Sequence, residues 1–152
     1  KFGFVFARRG IAPEACSSWF LPRIVGISKA LEWSYGGHIV PADEALKNNL
    51  ISEMVANNLL IDRAKEIAVR LTKQSSAVSI GLTRQMMWKM LGAEHPMSAH
   101  KIDSRAVYYL GQSLDAQEGV QSFLDKREAD FKNKVSADMP PFFPWWEKQT
   151  FE

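Results

Sequence analysis

The sequence is poor in the residues that staple or bridge a small protein. One cysteine, Cys16, excludes an internal disulfide, and the three histidines, His38, His95 and His100, lie too far apart for metal-ligand spacing. No metal is expected. Long hydrophobic runs are missing as well: none reaches the ~20 residues of a membrane helix, and nothing resembles a secretory leader. The expectation is a protein with no membrane partner, in a cytoplasmic or organelle-matrix setting. Charge of one sign is equally scarce, since 19 Lys and Arg against 17 Asp and Glu leave a net +2. So small a field argues against a nucleic-acid partner. Internal repeats are absent.

What is present suits a folded chain: 46% hydrophobic residues, enough at 152 residues for one core. Phe2 to Phe6, rich in aromatic and β-branched side chains, predicts a buried strand. Arg8-Arg9-Gly10 marks an exposed turn, and Pro13-Glu14 has the form of a helix start. Ala15 to Val25 should form two short helical pieces divided by Pro22. Ser28 is the expected cap of the next helix, which Gly36-Gly37 stop. A short helix over Asp43 to Asn48 and a strand over Ile51 to Val55 follow. Apolar residues then recur at helical spacing over Leu59 to Leu71 and over Ser76 to Leu91, the second with a face broad enough to be core on two sides. Pro96 to Leu110 reads as a helix ending at Gly111, and Asp115 with Glu118 three residues on has the pattern of a capping box opening another. The segment Met139 to Trp146, with three prolines among its aromatics, is an extended tail expected to pack on its own subunit or on a neighbour.

Chemistry is concentrated near the start. A first-turn Glu ordinarily serves the helix dipole, but Glu14 is followed by the small residues Ala15-Cys16-Ser17-Ser18, which leave room for a ligand to approach. Cys16 has no neighbouring His to activate it and reads as a small buried thiol. Arg8 and Arg9 read as exposed, and the histidines have no recognisable partner. Asn49 follows a helix, and asparagine is after glycine the residue most tolerant of the left-handed conformation there.

Several segments, in order, resemble the crotonase superfamily of acyl-CoA enzymes over residues 1 to about 131. They are Phe2-Gly3, the turn Arg8 to Pro13, Leu21-Pro22-Arg23-Ile24-Val25-Gly26, Pro41 to Leu46 followed by Leu50-Ile51, and Glu118-Gly119-Val120-Gln121-Ser122-Phe123-Leu124-Asp125-Lys126-Arg127. The resemblance implies an α/β fold, the ClpP/crotonase-like spiral, of which this portion is mainly α-helical with a few short strands. It implies the C-terminal half of that domain over 1–131, with a helical oligomerisation region, and an aromatic-rich extension over 132–152.

By the same resemblance the chemistry is that of an enoyl-CoA hydratase/isomerase, with acyl-CoA as substrate and no separate cofactor. Glu14 falls where the family's isomerases carry their catalytic carboxylate. Phe6 falls where its two-acid hydratases carry the second acid. Glu14 is therefore expected to shuttle a proton, with the enolate held by an oxyanion hole partly outside this chain. Phe123 and Lys126 match positions that contact the CoA nucleotide, although a core role for Phe123 and a solvated Lys126 remain open. Trp19 could line the acyl pocket or pack in the core. The implied assembly is a homo-oligomer, a trimer or a dimer of trimers. Hydration, C–C cleavage and thioester hydrolysis are the alternative reactions, and a non-catalytic oligomerising fragment is the alternative class.

Overall fold

The computed structural model describes residues 1–151. They form two compact units, Lys1–Ile61 and Asp62–Glu152, which part within the first turn of a helix.

In the first unit, β1 (Phe2–Gly3) pairs antiparallel with β2 (Ile39–Val40), Phe2 opposite Val40 and Gly3 opposite Ile39. The strand expected over Phe2 to Phe6 is cut short because Phe6 already has helical backbone angles and opens a 3-10 turn over Ala7–Arg9. Arg8 and Arg9 are exposed on it, as expected. α1 (Ser17–Val25) is one helix through Pro22 instead of two pieces. Proline leaves the carbonyl four residues back without a donor, and here that residue, Ser18, is exposed, where solvent can supply one. α2 (Ile27–Gly36) is preceded by Gly26, not capped by Ser28; the φ of 80° and ψ of 155° at Gly26 belong to a conformation open mainly to glycine. Gly37, left-handed at φ 54°, closes α2 and returns its N–H to the Trp33 carbonyl. α3 (Ala42–Lys47) follows, and Asn49 is left-handed at φ 62°, as expected.

Residues 51–55 form no strand; Leu50 and Ile51 pack instead against a core of Leu21, Ala30, Trp33, Val40 and Ala45. Trp33 is fully buried, with the Phe4 ring stacked on it at 5.7 Å. Its indole N–H donates to Glu44 Oε1 at 2.7 Å, so the one polar atom of the ring is satisfied. His38, given no partner from sequence, stands 3.6 Å from the same Glu44 oxygen.

The second unit is helical: α4 (Leu60–Thr72, beginning at the boundary), α5 (Ala77–Met90), α6 (Pro96–Leu110) and α7 (Leu114–Leu124). Ser76 caps α5, accepting from the Ser79 N–H at 3.4 Å, and His95 Nδ1 caps α6 through the Met97 N–H at 3.0 Å. Val78 and Leu82 of α5 and Ile102 and Ala106 of α6 are buried. The expectation of core on two sides of α5 fails, because Met87 is 68% exposed. α7 is capped by Ser113, whose Oγ accepts from the Ala116 N–H at 3.1 Å, and not by Asp115. The aromatic tail packs within this unit: Pro140 is fully buried, Phe142 meets Tyr109 edge-on at 6.3 Å, and Lys89 Nζ lies 4.4 Å over the Trp146 ring. Among the described residues no helix is long and apolar enough to cross a membrane.

Candidate functional site

In the first unit, the segment from Ile11 to Ser18 and the faces of α1 and α2 line an apolar cavity of about 320 Å³. Phe6, Ile11, Pro13, Ser17, Leu21 and Leu31 are among its walls. Sequence reasoning puts Glu14 in the first turn of a helix; the structure puts it three residues ahead of α1. Its carbonyl accepts both the Ser17 N–H, at 2.9 Å, and the Ser17 hydroxyl, at 2.6 Å, which ties the turn to the helix start.

Between them Ala15 and Cys16 are both left-handed, with φ of 52° and 58°. Two consecutive L-residues in this region cost about 1–2 kcal/mol each. Such strain persists only where the surroundings over-determine it, as at ligand sites. The Glu14 side chain is exposed, while Pro13 on one side and Ser17 and Ser18 on the other belong to the cavity wall. Cys16, expected to be buried, is exposed, because the left-handed turn carries it outside the packed face of α1.

Trp19 is half-buried and outside the cavity lining; the Arg23 guanidinium sits 4.1 Å over its ring and the Phe20 ring meets it edge-on at 4.7 Å. Phe6, which the resemblance leads one to expect in the place of a second acid, is part of the wall.

Phe123 and Lys126 belong to the second unit, where they share a groove of about 390 Å³ at the end of α7. Phe123 is 81% exposed, which rules out the core role left open for it. Lys126 is exposed and left-handed at φ 54°, just past the helix.

What sequence reasoning missed lies beside them. Asp115 Oδ1 accepts the N–H groups of Lys132 and Asn133 at 2.8 and 3.1 Å. Asp115 Oδ2 is buried with no partner at hydrogen-bonding geometry, and Ser76 is the nearby hydroxyl that favours its charged form. Burial pushes the Asp115 carboxyl up, but Ser76 and the two backbone N–H groups outweigh it and hold the group below its ordinary value. Glu118, three residues on, accepts a forked pair of bonds from Arg127, one at 2.8 Å, and the Asp130 N–H at 2.8 Å. The Arg127 bonds, then the Asp130 N–H, hold its carboxyl at about 2. In the sequence the two acids stand in a D-x-x-E pattern that reads as a cap, and Glu118 and Arg127 are the ends of the stretch that resembles the family; neither signal shows the backbone N–H groups they hold.

Residues 1–134 match the family described as enoyl-CoA hydratase/isomerase. The chain belongs to that family. An enoyl-CoA hydratase of Alternaria alternata is 40% identical over 136 residues, 89% of this chain and 45% of that protein. The 1,2-epoxyphenylacetyl-CoA isomerase of Escherichia coli is 30% identical over 136 residues, covering 88% of this chain and 50% of its own. The crystal structure of an enoyl-CoA hydratase from Bacillus anthracis, 25% identical, superposes with a TM-score of 0.78 over 84% of this chain and 49% of that one. The fold is thus the expected crotonase-like α/β fold, here mainly helical with short strands. The chain spans about half the length of the curated relatives it matches.

Proposed function

We propose that the protein shifts the double bond of an enoyl-CoA thioester, with Glu14 as proton shuttle. The observation that carries this reading is the placing of Glu14 in a strained turn whose flanking residues, Pro13, Ser17 and Ser18, wall an apolar cavity. In the proposed reaction the Glu14 carboxylate takes a proton from C2 of a 3-enoyl thioester. The electron pair left behind delocalises onto the thioester oxygen, which an oxyanion hole partly outside this chain stabilises. Glu14 then returns the proton at C4, leaving the double bond between C2 and C3. No proton or electron is left over, so the proposed reaction requires no separate cofactor.

Phe6 supports isomerisation over hydration. Adding water across the double bond calls for a second acid or base, and a phenyl ring in the cavity wall offers none. The names of relatives favour the second reading, hydration, since the Alternaria alternata and Bacillus anthracis proteins are both called enoyl-CoA hydratases. Incubating the whole protein with 3-enoyl-CoA and with 2-enoyl-CoA separates the two: an isomerase converts the first, a hydratase adds water to the second. Glu14→Gln should slow isomerisation by about 10²–10⁴-fold. An undiminished rate in that variant would refute the shuttle.

The proposed assembly is a homo-oligomer, a trimer or dimer of trimers, in a cytoplasmic or organelle-matrix setting. Val107 and Tyr108 of α6 and Leu114 of α7 support it, each between 67% and 77% exposed.

A further inference from the structure

The end of α7 is held by more bonds than a helix terminus needs. The Asp125 N–H donates to the Gln121 carbonyl at 2.9 Å and the Arg127 N–H reaches back to the Ser122 carbonyl at 3.1 Å. This closure requires a left-handed residue between them, usually glycine. Here it is Lys126, at φ 54°. A lysine in that conformation is strained, and the bonds around it show what holds it there.

Arg127 donates a forked pair to Glu118 and approaches Asp125 Oδ2 with its Nε at 3.4 Å. Glu118 also accepts the Asp130 N–H, so one carboxylate fastens both the residue after Lys126 and the backbone beyond it. Asp115 fastens two further N–H groups, those of Lys132 and Asn133. Glu128, on the same rim, is paired with Lys73 at 3.1 Å. The charges of Arg127 and Glu128 are therefore matched within the chain. Lys126 has no ion-pair partner among the described residues, and it lines the groove together with Phe123, Ser122 and Phe131. The groove thus offers an anion one unmatched cation, and the exposed Phe123 beside it offers apolar surface to the rest of the ligand.

We propose that Glu118 is a positioning residue: by fastening Arg127 and the Asp130 backbone it keeps Lys126 at the groove rim as the cation for the phosphates of a CoA thioester. This rests on the reading of the protein as an acyl-CoA enzyme. Glu118 touches no substrate in this scheme. It acts through Lys126, and only on the nucleotide end of the ligand.

The test uses the whole protein with two substrates carrying the same enoyl group, the CoA thioester and the pantetheine thioester, which lacks the nucleotide and its phosphates. Glu118→Gln keeps the shape and removes the charge that grips Arg127. It should raise KM for the CoA thioester about tenfold, leave kcat within about twofold, and leave both constants for the pantetheine thioester unchanged. Lys126→Ala should give the same split. Should Glu118→Gln fail to fold, Arg127→Gln breaks the same forked pair and carries the same expectation. An unchanged KM for CoA in a folded Glu118 or Arg127 variant overturns the proposal, as does an equal loss on both thioesters. If Lys126→Ala leaves the preference for CoA over pantetheine intact, the groove is not the nucleotide site and the proposal falls with it. Turnover of neither thioester by the unaltered protein defeats the acyl-CoA reading itself, and that result appears before any variant is made.

Discussion

Of the four left-handed residues other than glycine among those described, Ala15, Cys16 and Lys126, which lack the tolerance of asparagine, mark where this chain gives up stability for position. Ala15 is the cleanest case, because its methyl group has no chemistry of its own and its φ is 52°. Ala15→Gly removes about 1–2 kcal/mol of strain at a cost of about 0.5–1 kcal/mol in unfolded-state freedom. A net gain of about 0.5–1 kcal/mol in thermal melts is expected, together with reduced turnover as the Glu14 turn loosens. A loss of stability would show that the turn is not strained. Glu118 makes a second residue-scale prediction, through pH. Its forked bonds from Arg127, helped by the Asp130 N–H, hold the folded carboxyl at about 2 against an ordinary 4.5. A carboxylate whose folded value lies below its unfolded one stabilises fully above 4.5 and loses that contribution as pH falls toward 2. The melting temperature should therefore decline across this window, and decline less steeply in Glu118→Gln. Parallel curves for the two proteins would remove the Glu118 clasp as a source of stability.

At the scale of elements, the first unit depends on one side chain that three of them share. Trp33 of α2 carries the Phe4 ring that follows β1 and donates its N–H to Glu44 of α3. Trp33→Ala leaves a cavity and takes the indole donor from Glu44, and should cost about 3–5 kcal/mol in denaturant unfolding. A cost near 1 kcal/mol, the order of a single helix cap, would mean that the site collapses around the missing ring. The second unit is secured differently, by the carboxylates Asp115 and Glu118 of α7, which bind backbone N–H groups 12 to 18 residues further along. The aromatic tail then closes over α5 and α6 through Pro140, Phe142 and Trp146. Its contacts give those aromatics cover that an extended, solvent-facing segment would lack.

For the whole molecule, the apolar surface left open is the decisive fact. Beyond the residues of α6 and α7, Val69 and Leu71 of α4 are 55% and 62% exposed. Apolar side chains exposed to this degree on three helices are unfavourable in water unless another surface covers them. Light scattering on the whole protein should return a mass of three or six chains, and replacing Val107 and Leu114 with Lys should lower it. A monomeric mass for the unaltered protein would overturn the proposed assembly.

The sequence by itself determined the pieces whose causes are local. Ser76 before an apolar stripe, Pro96 at a helix start and Gly36-Gly37 after one all act within a turn or two of chain, and α5, α6 and α2 begin or end there. The family was legible for the same reason, since its motifs are short runs in a set order. Tertiary structure alone decided the rest. β1 exists because Phe2 meets Val40, so the strands found and the strands expected differ. Trp33 gained a partner in Glu44, Phe123 stayed outside the core, and Asp115 and Glu118 turned from a supposed cap into clasps on distant backbone. Each of these outcomes depends on which residues far apart along the chain come to share a surface, and no local propensity contains that information.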